Sequence, residues 1–539
     1  MRNLIKSITK GEWMFWVWVV VGLILVTSLS RLAVPIFMPE DGVWRGNVIY
    51  SFIDRYVYIS YIEQAREGNM FFQDLYTAKE ESVPMFNVFW LGMGLLAKAS
   101  HLSANAIMEI ARVFLIPGLF FVTYLLISFF IKNVWQRKLA FLFSAFAGGL
   151  GALFFPIIAL FYSEKAAAYQ LPIDFDTPEA FLFPTSYYSP HFIFSTTLLL
   201  LIILLSLLAI EKKNLYYAFP AGIAGLVLSN FHPFSFIIAS YLFICYFIFL
   251  LWKNREEAWF LFKYGCLIFI FVLPSIIYHL SMFFTPWWQN QTWGSTTYVP
   301  NIFSILSGYG LLVPLAIWSL WLVYKNKIKI KNIYFLLIWF FGQIMLIFLP
   351  VSVQRRFLEG YSFVLIILAS YSLTLFLEKK KWIIKGKVFA ATAFIICFGL
   401  SYILVLALDL NNVILQGNVV YLKKEEVKAI KELKNIMSKD DLIISDIYNS
   451  GIIPGIAVRR VFVGHGIETI DFVNKYFILE RFMLSLDDAE KKLILKNNGI
   501  KYLFYDSIWE KDWAWNPDEA SFLEKIYENS SYKIYKINF

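Results

Sequence analysis

Along most of the first 410 positions, apolar residues come in runs of about 20, and polar residues are confined to the stretches between them. A helix rising about 1.5 Å per residue needs about 20 such residues to cross about 30 Å of hydrocarbon. The pattern predicts eleven membrane-spanning helices, at 13–34, 108–131, 139–161, 191–210, 215–230, 234–252, 258–280, 302–324, 333–350, 358–377 and 388–409. The fifth is short and rich in Gly and Pro. The first exceeds the apolar core of a signal peptide and runs into "SRLAVPIF" without a small-residue cleavage pattern, which predicts a retained anchor.

Two regions break this pattern. In 35–107, Tyr58, Tyr61, Ile62 and Ala65 share one helical face and Tyr56, Ser60, Glu63 and Glu67 another, and Gly68-Asn69 supplies a helix stop. "FNVFWLGMGLLAKAS" (86–100) is apolar but too short to span. Both stretches read as helices resting on the membrane surface. From about residue 418 the chain becomes mixed charged and apolar. "EEVKAIKELKNIM" has helical spacing through Val427, Ile430, Leu433 and Met437. "DLIIS", "RVFVG" and the closing "SYKIYKINF" read as strands, and "DDAEKKLILKNNGIKYLFYD" as helix, Gly turn and strand. Alternating helices and strands predict a small α/β domain. The fold class is therefore a polytopic α-helical membrane protein with a transmembrane domain over 1–410, which includes the outer loop 35–107, and an extracytoplasmic α/β domain over 411–539.

Composition agrees: 59% of the 539 residues are hydrophobic and only 16% charged, which excludes an ordinary soluble protein. The formal charge of +9 would suggest nucleic acid, but Lys and Arg gather in alternate short loops, such as Lys325, Lys327, Lys329 and Lys331. That is the positive-inside signature. It places the N-terminus in the cytoplasm, makes the chain integral to the plasma (cytoplasmic) membrane, and after eleven spans puts the last domain outside. Basic excess is then topology, and the bilayer replaces nucleic acid as the partner. Cys245, Cys266 and Cys397 fall in spans as apolar filler, with no disulfide or zinc framework.

Sorted by this topology, the polar oddities share the outer side. They are Asp54, His191 in "YYSPHF", His232 in "SNFHPF", Arg355-Arg356 in "QRRFLEG", and His465 in "VGHGIET". Mid-membrane stretches hold almost no ionisable groups, which disfavours a proton- or ion-coupled transporter. Each residue also has a plain structural reading. Ser51-Phe52-Ile53-Asp54 fits a capping box, so Asp54 serves either a helix start or a reaction. His191 follows a proline at a helix start, His232 sits at a tight turn, and His465 is a loop residue. Two adjacent arginines on the non-cytoplasmic side call for an anion.

With the phrases "DRYVYISYIEQAREGN", "SPHF", "NFHPF", "QRRFLEG" and "VGHGIETID", the arrangement resembles the GT-C superfamily of polytopic glycosyltransferases, which includes protein mannosyltransferase-like enzymes. The resemblance implies a sugar donor linked to a polyprenyl phosphate and an acceptor glycan, lipid or protein approached from outside, as in cell-envelope assembly. An acceptor hydroxyl attacking an anomeric carbon needs a general base, and Asp54 matches the family's first-loop acid best, with Asp41 and Glu40 as rivals. Arg355 and Arg356 suit the departing lipid phosphate. His191, His232 and His465 are candidates for substrate binding. No metal-ligand spacing commits these histidines, so the cofactor stays open, a divalent cation included. Two other classes stand beside this reading: a transporter or flippase of lipid-linked saccharide, and a noncatalytic envelope-assembly protein.

Overall fold

The computed structural model describes residues 1–46, 52–161, 171–285, 288–289, 297–298, 301–379, 386, 399–417, 419–507 and 515–539. The chain divides into two compact units. One comprises Met1–Ser30, Met108–Tyr278 and Thr297–Asp409, and the other Arg31–Ile107, His279–Thr296 and Leu410–Phe539.

The first unit is helical. Seven helices among the described residues are long and apolar enough to cross a membrane: Lys10–Phe37, Ala104–Phe130, Val134–Ile157, Pro190–Lys212, Pro233–Lys253, Arg255–Met282 and Gln354–Glu378. They match seven of the eleven expected spans, and the chain is an integral membrane protein. The stretch 302–324 is two helices, Ile302–Tyr309 and Leu312–Tyr324, bent by 77°. Gly310 at the break has φ +51, a left-handed conformation that an L side chain resists. Leu215–Phe231 and Ile333–Ile347 are shorter than a full span. The first half of 388–409, with Cys397, lies outside the described residues.

Pro190–Lys212 is buried on nearly every side, whereas Arg255–Met282 is mostly exposed, with Phe269 and Ile270 among its exposed side chains. In a bilayer such apolar exposure costs nothing, because lipid tails are as apolar as leucine. Buried Arg112 shows how a charge is met from inside the unit. Arg112 donates from NH2 to Ser28 Oγ at 2.9 Å, from NH1 to Thr27 Oγ1 at 3.3 Å and from Nε to Glu109 at 2.9 Å.

In the second unit a five-stranded mixed sheet has the order β4-β3-β5-β7-β6, with β3 Leu442–Ile444, β4 Arg460–Val461, β5 Ile500–Asp506, β6 Leu523–Glu528 and β7 Tyr532–Ile537. β3 runs parallel to β4 and β5, while β7 runs antiparallel to β5 and β6. The expected helices form at Lys424–Ile436 and Asp488–Asn497, and Gly499 turns the chain at φ +63 into β5. The spacing gave no sign of the helices Ile447–Ala457 and Phe472–Leu484, of β6, or of the short ribbon joining β1 Gly42–Trp44 to β2 Tyr421–Lys423.

Phe52–Arg66 forms the expected helix and stops before Gly68, whose φ is +103. Its setting differs from a membrane-surface helix. Tyr56 and Ser60, on the expected polar face, are buried along with Ile62 and Ala65, and only Glu63 and Glu67 of that face stay partly exposed. Two glycines explain the enclosure. A Cβ on Gly94, in helix Val88–Ser100, would lie 2.2 Å from Ala65 Cβ, and one on Gly455 would lie 2.7 Å from Tyr56 Cδ1. Bare backbone on each flank lets both neighbours close onto the helix.

Candidate functional site

The helix Phe52–Arg66 presents Asp54 in its first turn. Ser51, the other half of the expected capping box, lies outside the described residues. Asp54 Oδ1 meets His465 Nε2 at 2.9 Å, a pairing across 411 positions of sequence. His465 is buried while the Asp54 side chain is 49% exposed. The loop "VGHGIET" fixes the ring. The backbone N–H groups of Ile467 and Glu468 donate to His465 Nδ1 at 3.2 and 3.1 Å. Gly464 and His465 donate their own N–H groups to Thr469 Oγ1, both at 3.2 Å, and Tyr76 packs against the ring at 5.6 Å.

These bonds decide the tautomer. Nδ1 accepts two N–H groups, so the neutral ring carries its proton on Nε2 and donates it to Asp54. The carboxylate is thereby oriented by a buried imidazole and remains half open to solvent. Neither rival acid is held this way: Glu40 and Asp41 are exposed at the turn before β1, where among the described residues their carbonyls serve as acceptors, for Lys424 Nζ at 2.6 Å and Lys424 N at 2.7 Å.

In the first unit, the starts of three helices bring the remaining candidates together. His191 follows Pro190 at the first turn of Pro190–Lys212, and its Nδ1 bonds Ser189 Oγ at 2.9 Å. His232 precedes Pro233, and the two imidazoles are 6.4 Å apart. Arg356, in the turn Gln354–Leu358, stands 6.0 Å over the Phe192 ring, which is 6.1 Å from His232. Arg356 NH1 pairs with Glu179 Oε1 at 3.1 Å, so the anion this arginine calls for includes a carboxylate of the protein itself. Arg355 is anchored through its backbone N–H to Thr297 O at 2.9 Å, and its buried Nε has no partner among the described residues.

Glu359 is the residue that pattern reading passed over, although it stands within "QRRFLEG". Its side chain is 1% exposed. Oε1 accepts from Ser195 Oγ at 2.8 Å and Thr196 Oγ1 at 2.7 Å, and Oε2 accepts from Ser235 Oγ. Gln343 donates to the Glu359 and Phe357 carbonyls, each at 2.8 Å, and so pins this turn. Glu179, Glu359 and their partners are separated by 120 to 180 positions or so. One signal was present: hydroxyls spaced along an apolar helix, as in "FSTT", are the means of satisfying a buried charge.

Among the described residues no group of three or more His, Cys, Asp or Glu side chains is placed to hold a metal ion. In the Asp54–His465 pair both ring nitrogens are engaged as described, which leaves no lone pair on His465 for a metal. A divalent ion at this place would rest on Asp54 and on oxygen ligands other than His465.

No protein-family model and no curated protein matches the chain. Solved structures do. The oligosaccharyltransferase of Archaeoglobus fulgidus in its apo form is similar over 93% of this chain and 70% of its own, at 13% identity and a TM-score of 0.58. The same enzyme has also been solved in complex with Zn and sulfate. ArnT from Cupriavidus metallidurans bound to undecaprenyl phosphate is similar over 98% of both chains, at 10% identity and a TM-score of 0.52. The arabinofuranosyltransferase AftD from Mycobacteria is similar over 98% of this chain and 40% of its own, at 11% identity and a TM-score of 0.53. The chain has the fold of the GT-C glycosyltransferases.

Proposed function

We propose that this protein is a membrane glycosyltransferase that moves a sugar from a polyprenyl-phosphate-linked donor to an acceptor at the extracytoplasmic face. The observation that carries the reading is the Asp54 carboxylate, half exposed and oriented by the buried His465 Nε2–H at 2.9 Å. Asp54 takes the proton of an acceptor hydroxyl as its oxygen bonds the anomeric carbon. The bond from that carbon to the phosphate oxygen breaks, and negative charge gathers on the polyprenyl phosphate. Within the first unit, Arg355 and Arg356, with His191 and His232, are the groups this reading assigns to a phosphate. The fold supports the reading, since the neighbours named above are glycosyltransferases and one is bound to undecaprenyl phosphate.

The proposal carries the rest of the topology with it: eleven spans within 1–410, a cytoplasmic N-terminus and residues 411–539 outside. Two experiments test it. A reporter active only outside the cytoplasm, fused after Phe539, is expected to work; a reporter active only in the cytoplasm working there would overturn the orientation. Purified protein screened against lipid-linked sugars is expected to turn one over, and inertness across the set in an intact protein would favour the assembly reading.

A further inference from the structure

The Glu359 cluster carries more than the donor reading uses. Ser235 Oγ donates its single proton to Glu359 Oε2. Its contact with His232 Nδ1, at 2.6 Å, therefore has the imidazole N–H as donor and the hydroxyl oxygen as acceptor. His232 Nδ1 also lies 3.5 Å from Glu359 Oε2, so the carboxylate faces the protonated edge of the ring. The other nitrogen, Nε2, is buried and has no partner among the described residues, and the residue as a whole is 6% exposed. A buried polar atom without a partner is costly and uncommon, and at a site of chemistry it marks a place held ready for a ligand.

From this geometry we infer that Glu359 is a positioning residue: acting through Ser235, it fixes His232 as the Nδ1–H tautomer and makes Nε2 the proton acceptor for a phosphate group bound in this cluster. The identity of the ligand rests on the donor reading above, whereas the tautomer does not. The charged and titratable groups facing His232 pull in two directions: Arg356 and His191 oppose an imidazolium until an anion offsets them, and Glu359 favours it. Glu359 lies on its Nδ1 side and stabilises an imidazolium. Arg356 and His191 are the neighbouring cationic groups and draw an anion in, with Glu179 balancing Arg356. A phosphate monoester has its second pKa near about 6, so it arrives near neutral pH as a mixture of monoanion and dianion. Held here, one proton passes from a phosphate oxygen to Nε2 or is shared between them. Above that pKa the proton comes from solvent, and binding takes it up.

Two measurements on the full chain in nanodiscs test the inference. In the first, nitrogen NMR of 15N-histidine-labelled protein reads the His232 ring without ligand, its signals assigned by their loss in His232→Gln. The wild type is expected to show a protonated Nδ1 and a bare Nε2 at neutral pH. Ser235→Ala is expected to lose the fixed tautomer, and Ser235→Thr, which keeps the hydroxyl, to retain it. An Nε2–H ring in the wild type, or no change in Ser235→Ala, would overturn the relay. In the second, calorimetry of undecaprenyl phosphate binding in buffers of different ionisation enthalpy counts protons. At about two pH units above the phosphate pKa, uptake of about one proton per headgroup is expected, and none in His232→Gln. Glu359→Gln removes the charge while keeping shape, and is expected to cut uptake by about half or more. Binding without proton uptake in the wild type overturns the acceptor role. Failure of undecaprenyl phosphate to bind at all overturns the donor reading, and the NMR result still judges the relay by itself. Equal binding of inorganic phosphate with proton uptake supports the same chemistry and assigns the ligand to the free anion instead of the lipid headgroup.

Discussion

Two carboxylates, Asp54 and Glu359, each face an imidazole, and their settings are opposite. Asp54 is half exposed, and its histidine donates an Nε2–H hydrogen bond to it directly. Glu359 is shut in, wrapped by three hydroxyls, and reaches its histidine through one of them. A carboxylate that must collect a proton from an incoming substrate needs access and a fixed direction. One that must only hold charge needs donors, and access would waste them. The pair thus separates a reacting acid from a supporting one by burial, though both belong to the same residue class.

The largest effect is expected where access matters. Asp54→Asn keeps the shape and still accepts from His465, yet it cannot take a proton. Glycosyl transfer is expected to fall by about 100-fold or more, the scale of a lost positioned base. Thermal stability should barely move. Full activity in this variant would break the comparison and move the search for the base to Asp41 and Glu40.

The second effect sharpens the other side. Arg356 is paired with Glu179, whose side chain is fully buried, so Arg356→Gln leaves a carboxylate without its partner. A stability loss of about 1–3 kcal/mol is expected, the cost of leaving a buried acceptor without its partner. Adding Glu179→Gln should recover much of it in a double-mutant cycle. Arg355→Gln removes no such partner and should weaken undecaprenyl phosphate binding with little loss of stability. The reverse pattern would mean that Arg356 alone serves the ligand.

What the chain disclosed in advance divides along the same physical line. A membrane span is a local property, about 20 apolar residues, so seven of the expected spans stand as helices of sufficient length. The C-terminal α/β alternation was equally local, since Ile430 and Leu433 lie on the buried face of their helix and Met437 is buried just past its end. Asp54 and His465 were each legible as oddities, but their contact spans 411 positions and no periodicity encodes it. Glu359 was less visible still, because its value comes from Ser195, Thr196 and Ser235 arriving from two other helices. The burial of Tyr56 and Ser60 escapes the pattern for a related reason. Their helix has an amphipathic face in isolation, and the glycines that enclose it lie on other elements.

A third test concerns a carboxylate that is neither reacting nor paired with a histidine. Glu426, at the start of helix Lys424–Ile436, has its carboxyl pushed up to about 7 by burial, with Asp506 and Asp446 adding to the rise and Arg45 opposing it. The sign follows from proton counts. Between about pH 4.5 and 7 the folded protein holds a proton here that the unfolded chain has released, so stability falls as pH rises through that window. The ordinary value of 4.5 and the folded value of about 7 set the loss at about 3 kcal/mol or less. Glu426→Gln should flatten the dependence of melting temperature on pH over this range. An unchanged slope would mean that Glu426 stays ionised beside Arg45.

The smallest effect tests whether the direction of Asp54 depends on the packing of its helix. Gly455 faces Tyr56, two residues beyond Asp54, and an added methyl would meet Tyr56 Cδ1 at 2.7 Å and the Tyr56 carbonyl at 3.0 Å. The ring can turn, but the backbone oxygen cannot, so the helix must give by a few tenths of an ångström. Overpacking of this kind costs about 1–3 kcal/mol. Because the carbonyl pushed aside lies in the turn that carries Asp54, the distance to His465 should lengthen, and activity should fall by up to about tenfold while KM for the donor holds. Gly92→Ala is the control, since that position meets nothing within 4 Å and alanine favours a helix. If Gly455→Ala lost stability but kept full activity, His465 would be tracking Asp54 through the shift, and the loop "VGHGIET" would be the compliant partner of the pair.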